Sequence, residues 1–325
     1  MALTRRIFVS GLSTLPFAST LARAANWPSG PIRIIVPFPP GGSVDAVGRA
    51  LSPGLQGRLG ANVVIENIGG ASGSIGAATA ARAQPDGNTW LLVFDTHAIN
   101  PTLMPNLPFD TKADLVPVYL IGTAPNLLAT SPSKPFKTFA DVIEAAKKAP
   151  DTITYGSIGI GSLGHLTMVR LANAAGVKLV HVPYKGGGPA VTDAIGGHID
   201  LVVGSAALGA PHVKAGKLHP VVQTGKSRLP ALSDTQTLAE AGFGGLESHA
   251  WWGVFAPKGT PQPTVDRFAG ELRAVLGDEK VVSQLVDGQQ MTLVNGGADE
   301  LRTFLNDQIQ IWGKIIKDNN IKLDS

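Results

Sequence analysis

The sequence predicts an α/β protein of two lobes, the first assembled from both ends of the chain. Short apolar runs alternate with helical patterns across short loops, which points to a parallel sheet covered on both faces. One run, Val116 to Thr130, is too long for a strand of a small sheet and reads as a strand passing from one lobe to the other. The texture of the opening units returns in the last third of the chain. The division that follows is an export signal at residues 1–24, lobe 1 from residues 25–123 and 225–325, and lobe 2 from residues 124–224.

The 325 residues suffice for about two domains. Arg5-Arg6 precede an apolar stretch from Ile7 to Thr20, and Ala22-Arg23-Ala24 has the form of a cleavage site. Adjacent arginines followed by Phe8 fit a twin-arginine signal, and a plain secretory signal with a basic start is the alternative. Its removal takes away Arg5, Arg6 and Arg23 and leaves 24 basic against 24 acidic residues. A neutral mature chain without a Lys/Arg run argues against a nucleic-acid partner. No second apolar run approaches the ~18 residues of a spanning helix, so a soluble protein in the periplasm is expected. The absence of cysteine removes disulfides, thiolate catalysis and Cys-based metal sites.

The first unit runs Ile32 to Leu59. Ile32, Ile34 and Val36 form a buried strand, the prolines 37, 39 and 40 stop it, and Gly41-Gly42 turn the chain. Ser43 is a natural N-cap, and Val44, Val47, Leu51, Leu55 and Leu59 mark one helix face, which Pro53-Gly54 should kink or end early. Strands follow at Asn62–Glu66 and Thr89–Phe94, around a short helix at Ile75–Arg82. Thr138 to Asp141 resembles a capping box for a helix carrying Phe139, Val142, Ile143 and Ala146. A second strand, glycine turn and helix occupy Ile153–Ser157, Ile158–Ser162 and Leu163–Ala175, with Gly176 as C-cap. Further strands are Val177–Val182, Ile199–Val203, Pro220–Thr224, Trp251–Ala256 and Met291–Val294. Helices are expected at Ala190–Ile195, Thr264–Leu276 and Ala298–Lys317.

Two turns carry the chemistry. At Gly41–Val44 and again at Gly159–Leu163, backbone N–H groups face outward at a helix N-terminus, which binds anions without a cationic side chain. An ordinary strand-to-helix turn is the plain alternative for either one alone. Gly159-Ile160-Gly161-Ser162-Leu163-Gly164 also spells G-x-G-x-x-G, but the next strand ends His181-Val182-Pro183-Tyr184-Lys185, without the acid that a ribose needs. Ligands of open parallel sheets sit at strand C-terminal ends, so the two turns can face one cleft.

Other candidates are weaker. The seven histidines make no H-x-x-x-H pair, so no metal is expected. Ser131-Pro132-Ser133-Lys134 matches S-x-x-K without its partner motifs. His97 and His165 are each a structural hydrogen-bonder or a pocket polar group. Trp251 and Trp252 alternate, so one should face the core and one the cleft or solvent, with core packing the default for both. Asp45 either complements the helix dipole or holds the glycine turn so that its N–H groups converge.

Across the whole mature chain the sequence resembles the substrate-binding proteins of tripartite tricarboxylate transporters, the Bug family. The resemblance rests on Pro37-Phe38-Pro39-Pro40-Gly41-Gly42-Ser43-Val44-Asp45, Glu66-Asn67, Gly70-Ala71-Ser72-Gly73 and His97-Ala98-Ile99-Asn100-Pro101. It continues in Tyr155-Gly156-Ser157, Gly161-Ser162, His165, Val182-Pro183-Tyr184-Lys185-Gly186, Gly196-Gly197-His198-Ile199-Asp200 and Ala256-Pro257-Lys258-Gly259-Thr260-Pro261. It implies the type II periplasmic-binding-protein fold, hinge closure on a small carboxylate, and delivery to membrane transporter subunits by a monomer without cofactor. By position it marks Phe38, Gly41, Gly42, Ser43 and Asp45 on one side of the cleft, and Ser157, Gly161, Ser162 and His165 on the other. Ala71, Thr96, His97, Tyr184 and Ser205 complete the candidate set. Hinge motion is expected near Thr123 and Thr224.

Two departures bear on the ligand. Asp95 stands where small hydroxyl residues are commoner, and an inward acid would disfavour a second anion. Val202 to Ala207 replaces a bulkier, acidic pattern, leaving room for a larger, aromatic carboxylate. The alternatives are a ligand-sensing partner of a membrane signalling protein and a secreted enzyme using the same cleft.

Overall fold

The computed structural model describes residues 27–184 and 186–323. The expected export signal at residues 1–24 and Lys185 of the family pattern lie outside these.

One mixed sheet organises the chain. Its strands are β1 (Ile32–Val36), β2 (Val63–Asn67), β3 (Thr89–Val93), β4 (Leu115–Thr130), β5 (Thr154–Ser157), β6 (Val180–Pro183), β7 (Leu201–Ser205), β8 (His219–Gln223), β9 (His249–Pro257) and β10 (Thr292–Gly296). The order is β2-β1-β3-β9-β4-β7-β5-β6, with β8 and β10 also on β4. Parallel pairing holds within β2-β1-β3 and within β7-β5-β6. The expectation of an all-parallel sheet is corrected at the middle, where β4 and β9 run antiparallel to their neighbours.

β4 joins the two portions of the sheet, as its length suggested. Residues Leu115–Pro125 pair with β9, and Asn126–Thr130 pair with β7. The chain crosses back at Thr224. Its N–H donates to Asn126 O at 2.9 Å, its Oγ1 accepts the Asn126 N–H at 2.8 Å, and the same hydroxyl donates to Ser248 O at 2.5 Å. The portion holding β1, β2, β3, β9 and β10 therefore comes from both chain ends.

The helices are α1 (Ser43–Leu59), α2 (Ser74–Ala81), α3 (Thr96–Leu103), α4 (Phe139–Lys148), α5 (Leu163–Ala175), α6 (Gly187–Gly196), α7 (Ala206–Lys214), α8 (Gln262–Val275), α9 (Glu279–Gln289) and α10 (Ala298–Asp318). The Thr138–Asp141 capping box forms in full at the start of α4, and Gly176 ends α5 in the left-handed conformation. Helix α1 runs unbroken through Pro53-Gly54. The expected early end does not occur, because burial of Leu51, Leu55 and Leu59 on one face carries the helix on to Leu59. Gly54 lets α8 approach, since a Cβ there would meet Val275 at 2.9 Å.

Trp251 and Trp252 point to opposite faces and both take the default, core packing: each is fully buried, in separate apolar clusters. Helices cover both faces of this part of the sheet, so each ring finds a core. Among the described residues no helix is long and apolar enough to cross a membrane.

Candidate functional site

The N-termini of α1 and α5 line one cavity of about 730 Å3, where the sheet portions meet. At the first corner β1 ends in Pro37, and Gly41 takes a φ of +83°, open to glycine and strained for most other residues. The Gly41 N–H donates to Asp45 Oδ2 at 2.9 Å, while Asn67 Nδ2 donates to Asp45 Oδ1 at 3.0 Å and Arg49 Nε to Oδ2 at 2.9 Å. Burial pushes the Asp45 carboxyl up, but the bonds from Arg49, Gly41 and Asn67 outweigh it and hold the group below the usual carboxylate range. Asp45 thus ties the turn from behind.

Ser43 is the first residue of α1 rather than its N-cap. Gly42 takes the cap position, and Ser43 Oγ donates to Gln289 Oε1 at the end of α9. The N–H groups of Gly42, Ser43 and Val44 have no acceptor among the described residues, so three consecutive donors line the cavity wall.

The second corner is built on the same plan with a different side chain. Gly161 takes a φ of +73° and donates its N–H to His165 Nδ1 at 3.0 Å. Ser162 is a true N-cap, accepting the His165 N–H at 3.3 Å and donating to Gly159 O at 2.8 Å. This corner retains fewer donors than the sequence suggested. The Gly159 N–H goes to Ser157 Oγ, the Gly161 N–H to His165 and the Ser162 N–H to Gly159 O.

Behind this turn lies a buried polar stack. His165 and His181 pack face to face, 3.9 Å between ring centroids. His181 Nε2 meets Ser157 Oγ at 2.8 Å. Desolvation, joined at His165 by the neighbouring His181, pushes both rings down to about 4. The fold thus pairs a serine and a histidine that sequence spacing did not. Ser157 is fully buried, however, with its hydroxyl also bonded to Gly159 O, so it braces the turn and is not presented to a substrate.

Of the residues singled out in the sequence, Phe38, Gly41, Gly42, Ser43, Thr96, Gly161, Ser162 and Ser205 line the cavity. Asp45, Ser157 and His165 sit one layer behind it. Ala71 is replaced at the wall by its neighbour Ser72. His97 is buried against Phe255 and Phe109, and desolvation drives its ring down to about 3. Tyr184 donates to Asp193 Oδ2 at 2.7 Å, away from the cavity.

Sequence reasoning missed Asn126 on β4, Gly288-Gln289 at the end of α9, and Leu208 on α7. Neither α7 nor α9 was expected, and no motif marks them. Leu208 also fills part of the room foreseen around Val202–Ala207: Cβ atoms built on Gly187 and Gly204 would meet it at 2.7 and 2.8 Å. Asp95 does line the cavity, as feared, but burial raises its carboxyl to about 8 and keeps it largely protonated at neutral pH.

A two-turn cleft in a mixed sheet sewn together by one long strand is the architecture of periplasmic solute-binding proteins. The comparisons agree. Residues 47–321 match the model for the tripartite tricarboxylate transporter family receptor (TctC), and the chain belongs to that family. BugT of Bordetella pertussis is 32% identical over 327 residues, covering 99% of this chain and 100% of BugT. The solved periplasmic binding protein BugD superposes with a TM-score of 0.80 at 32% identity, covering 91% of this chain and 99% of that one. An R. palustris protein solved with adipate gives 0.83 at 32% identity, again over 91% and 99%.

Proposed function

We propose that this protein is an extracytoplasmic solute-binding protein that captures a small carboxylate in the cavity between α1 and α5 and delivers it to a tripartite tricarboxylate-type membrane transporter. The observation that carries this reading is the run of N–H groups at Gly42, Ser43 and Val44, unpartnered at a helix N-terminus and facing a cavity of ligand size. A hydrogen bond to a charged group contributes roughly 1.5–3 kcal/mol. Micromolar binding needs about 8 kcal/mol. Three such donors, Thr96 nearby, and apolar contact with Phe38 and Phe94 reach that range together. The relative solved with adipate supports the carboxylate class.

Closure takes place about the crossings at Thr123–Asn126 and Thr224, bringing the α5 corner onto a ligand held by the α1 corner and forming the surface that the transporter reads. The protein works as a monomer in the periplasm, after export directed by Arg5-Arg6 and cleavage near Ala24. The test is thermal shift and calorimetry across mono-, di- and tricarboxylates, each beside its uncharged amide. Stabilisation by acids, none by amides and no turnover is the expected result. A carboxylate panel without a single binder, or conversion of a bound acid, would overturn the reading.

A further inference from the structure

Among the described residues that line the cavity, Asn126 is the one with a buried side-chain polar atom that finds no partner. It is 2% exposed, it lines the cavity, and its Nδ2 is buried without a hydrogen-bond partner among the described residues. An orphan donor of this kind is costly and uncommon. Two serines of the wall are engaged, Ser43 with Gln289 and Ser162 with Gly159 and Ser157. The Asn126 backbone is fixed at both ends of its peptide by Thr224, and Ser205 stands opposite in the β4–β7 register. The Asn126 backbone is therefore held at the crossing of the two sheet portions, and the residue lies at the cavity wall.

Charge decides what it meets there. Among the described lining residues the only ionisable side chain is Asp95, an acid. A second carboxylate at the Asn126 end would be desolvated without a cation, which is costly. A neutral group has no such cost and answers the amide directly. The cavity wall also carries the apolar side chains of Leu163, Val203 and Leu208, and Ser205 beside Asn126 adds a neutral hydroxyl.

Resting on the carboxylate reading above, we propose that Asn126 is a specificity residue that hydrogen-bonds an uncharged polar group of the ligand, so that the preferred ligands are hydroxy- or oxo-substituted monocarboxylates with an apolar body rather than dianions.

Two matched series test this by calorimetry: hexanoate, 6-hydroxyhexanoate and adipate; benzoate, 4-hydroxybenzoate and terephthalate. In the wild-type protein the hydroxy acid of at least one series binds about tenfold more tightly than its unsubstituted and dianionic counterparts. Asn126→Leu removes that advantage, so that within the variant the hydroxy acids bind no more tightly than hexanoate and benzoate. Its ligand-free melting temperature stays level or rises, because the orphan amide is gone. Asn126→Ala, which withdraws the amide without adding apolar bulk, loses the advantage too and decides the matter if the leucine variant does not fold. A hydroxyl preference that survives both substitutions, its absence from the wild type in both series, or tightest binding of the dianions overturns the proposal. Gly42→Val separates the two levels. If all acids bind and all weaken in Gly42→Val, while Asn126 makes no difference, only this inference falls. If no acid binds, or Gly42→Val is silent, the carboxylate reading falls with it.

Discussion

Asp45 accepts the Gly41 N–H at 2.9 Å from four residues further along the chain. His165 does the same for Gly161 at 3.0 Å. In both corners a left-handed glycine is pinned by a side chain from the first turn of the helix that follows. Each pin uses up one N–H and fixes the direction of the next ones. The two residues thereby position donors without lining the cavity themselves. The expected outcome for Asp45→Ala is a loss of about 1–3 kcal/mol of stability, since Asn67 and Gly41 lose their acceptor. Carboxylate affinity falls more than tenfold, and Asp45→Asn, which keeps an acceptor, restores most of it. Calorimetry on the three proteins checks this; equal affinities would show that the pin is not needed.

The glycines themselves separate binding from folding. Gly42 has an ordinary φ of −81°, and a Cβ there meets only Pro39 O at 3.7 Å. Gly42→Val should leave the melting temperature within a few degrees while its side chain covers the donors and abolishes binding. Gly161 differs: its φ is +73°, and a Cβ would run into the Leu103 side chain of α3. Gly161→Ala should cost about 2–4 kcal/mol, from backbone strain and overpacking together. Chemical denaturation of both variants tests the contrast. A Gly161→Ala protein as stable as wild type would mean that the corner relaxes away from α3.

How far the sequence reveals this molecule can be judged at the same places. The β1 and β5 units were legible because apolar period, proline, glycine and helix face agree there. The length of β4 announced the crossing. Three features were hidden. Helix α3 begins at Thr96 and contains Asn100 and Pro101, so its pattern is too weak to stand out. Helices α7 and α9 bring Leu208 and Gln289 to the cavity by tertiary packing alone, and Gln289 is 246 residues from its partner Ser43. The role of Asn126 depends on what surrounds its amide, and no motif carries that. Donor accounting was also out of reach: the sequence shows which N–H groups a turn exposes, but only the fold shows that Asp45, Ser157 and His165 claim some of them.

Buried titratable groups give a pH profile with two limbs. His97, His165 and His181 stay neutral in the fold down to about 3, 4 and 4 against an ordinary 6.5. The unfolded chain takes up those protons first, so stability falls as pH drops below 6.5. Asp95 works in the other direction. Its folded carboxyl holds a proton to about 8, whereas the unfolded one ionises near 3.8, so raising the pH favours unfolding until about 8. Below 6.5 three histidines outweigh one aspartate; above it Asp95 acts alone. Stability should peak between pH 6 and 7 and decline by roughly 2 kcal/mol towards pH 8. Asp95→Asn removes the alkaline decline and leaves the acid limb. Thermal denaturation from pH 4 to 9 measures both limbs, and an unchanged alkaline slope in the variant would show that Asp95 is ionised in the native protein.

Leu208 sets the size limit of the cavity. It reaches from α7 across Gly187 and Gly204, and no residue larger than glycine fits beneath it at either position unless Leu208 moves. It is half-buried, so Leu208→Ala should cost only about 1–2 kcal/mol of stability. The vacated space adjoins Gly187 and Gly204 on the cavity wall. Short acids, held by the α1 donors, keep their affinity within about twofold. A longer acid such as 4-phenylbenzoate, excluded or weak in the wild type, should gain tenfold or more once its far ring has room, since burying a ring is worth a few kcal/mol. Competition calorimetry of 4-phenylbenzoate against benzoate in the two proteins measures the ratio. A ratio that does not change would place the size limit elsewhere in the wall, with Phe38 and Phe94 the next side chains to truncate.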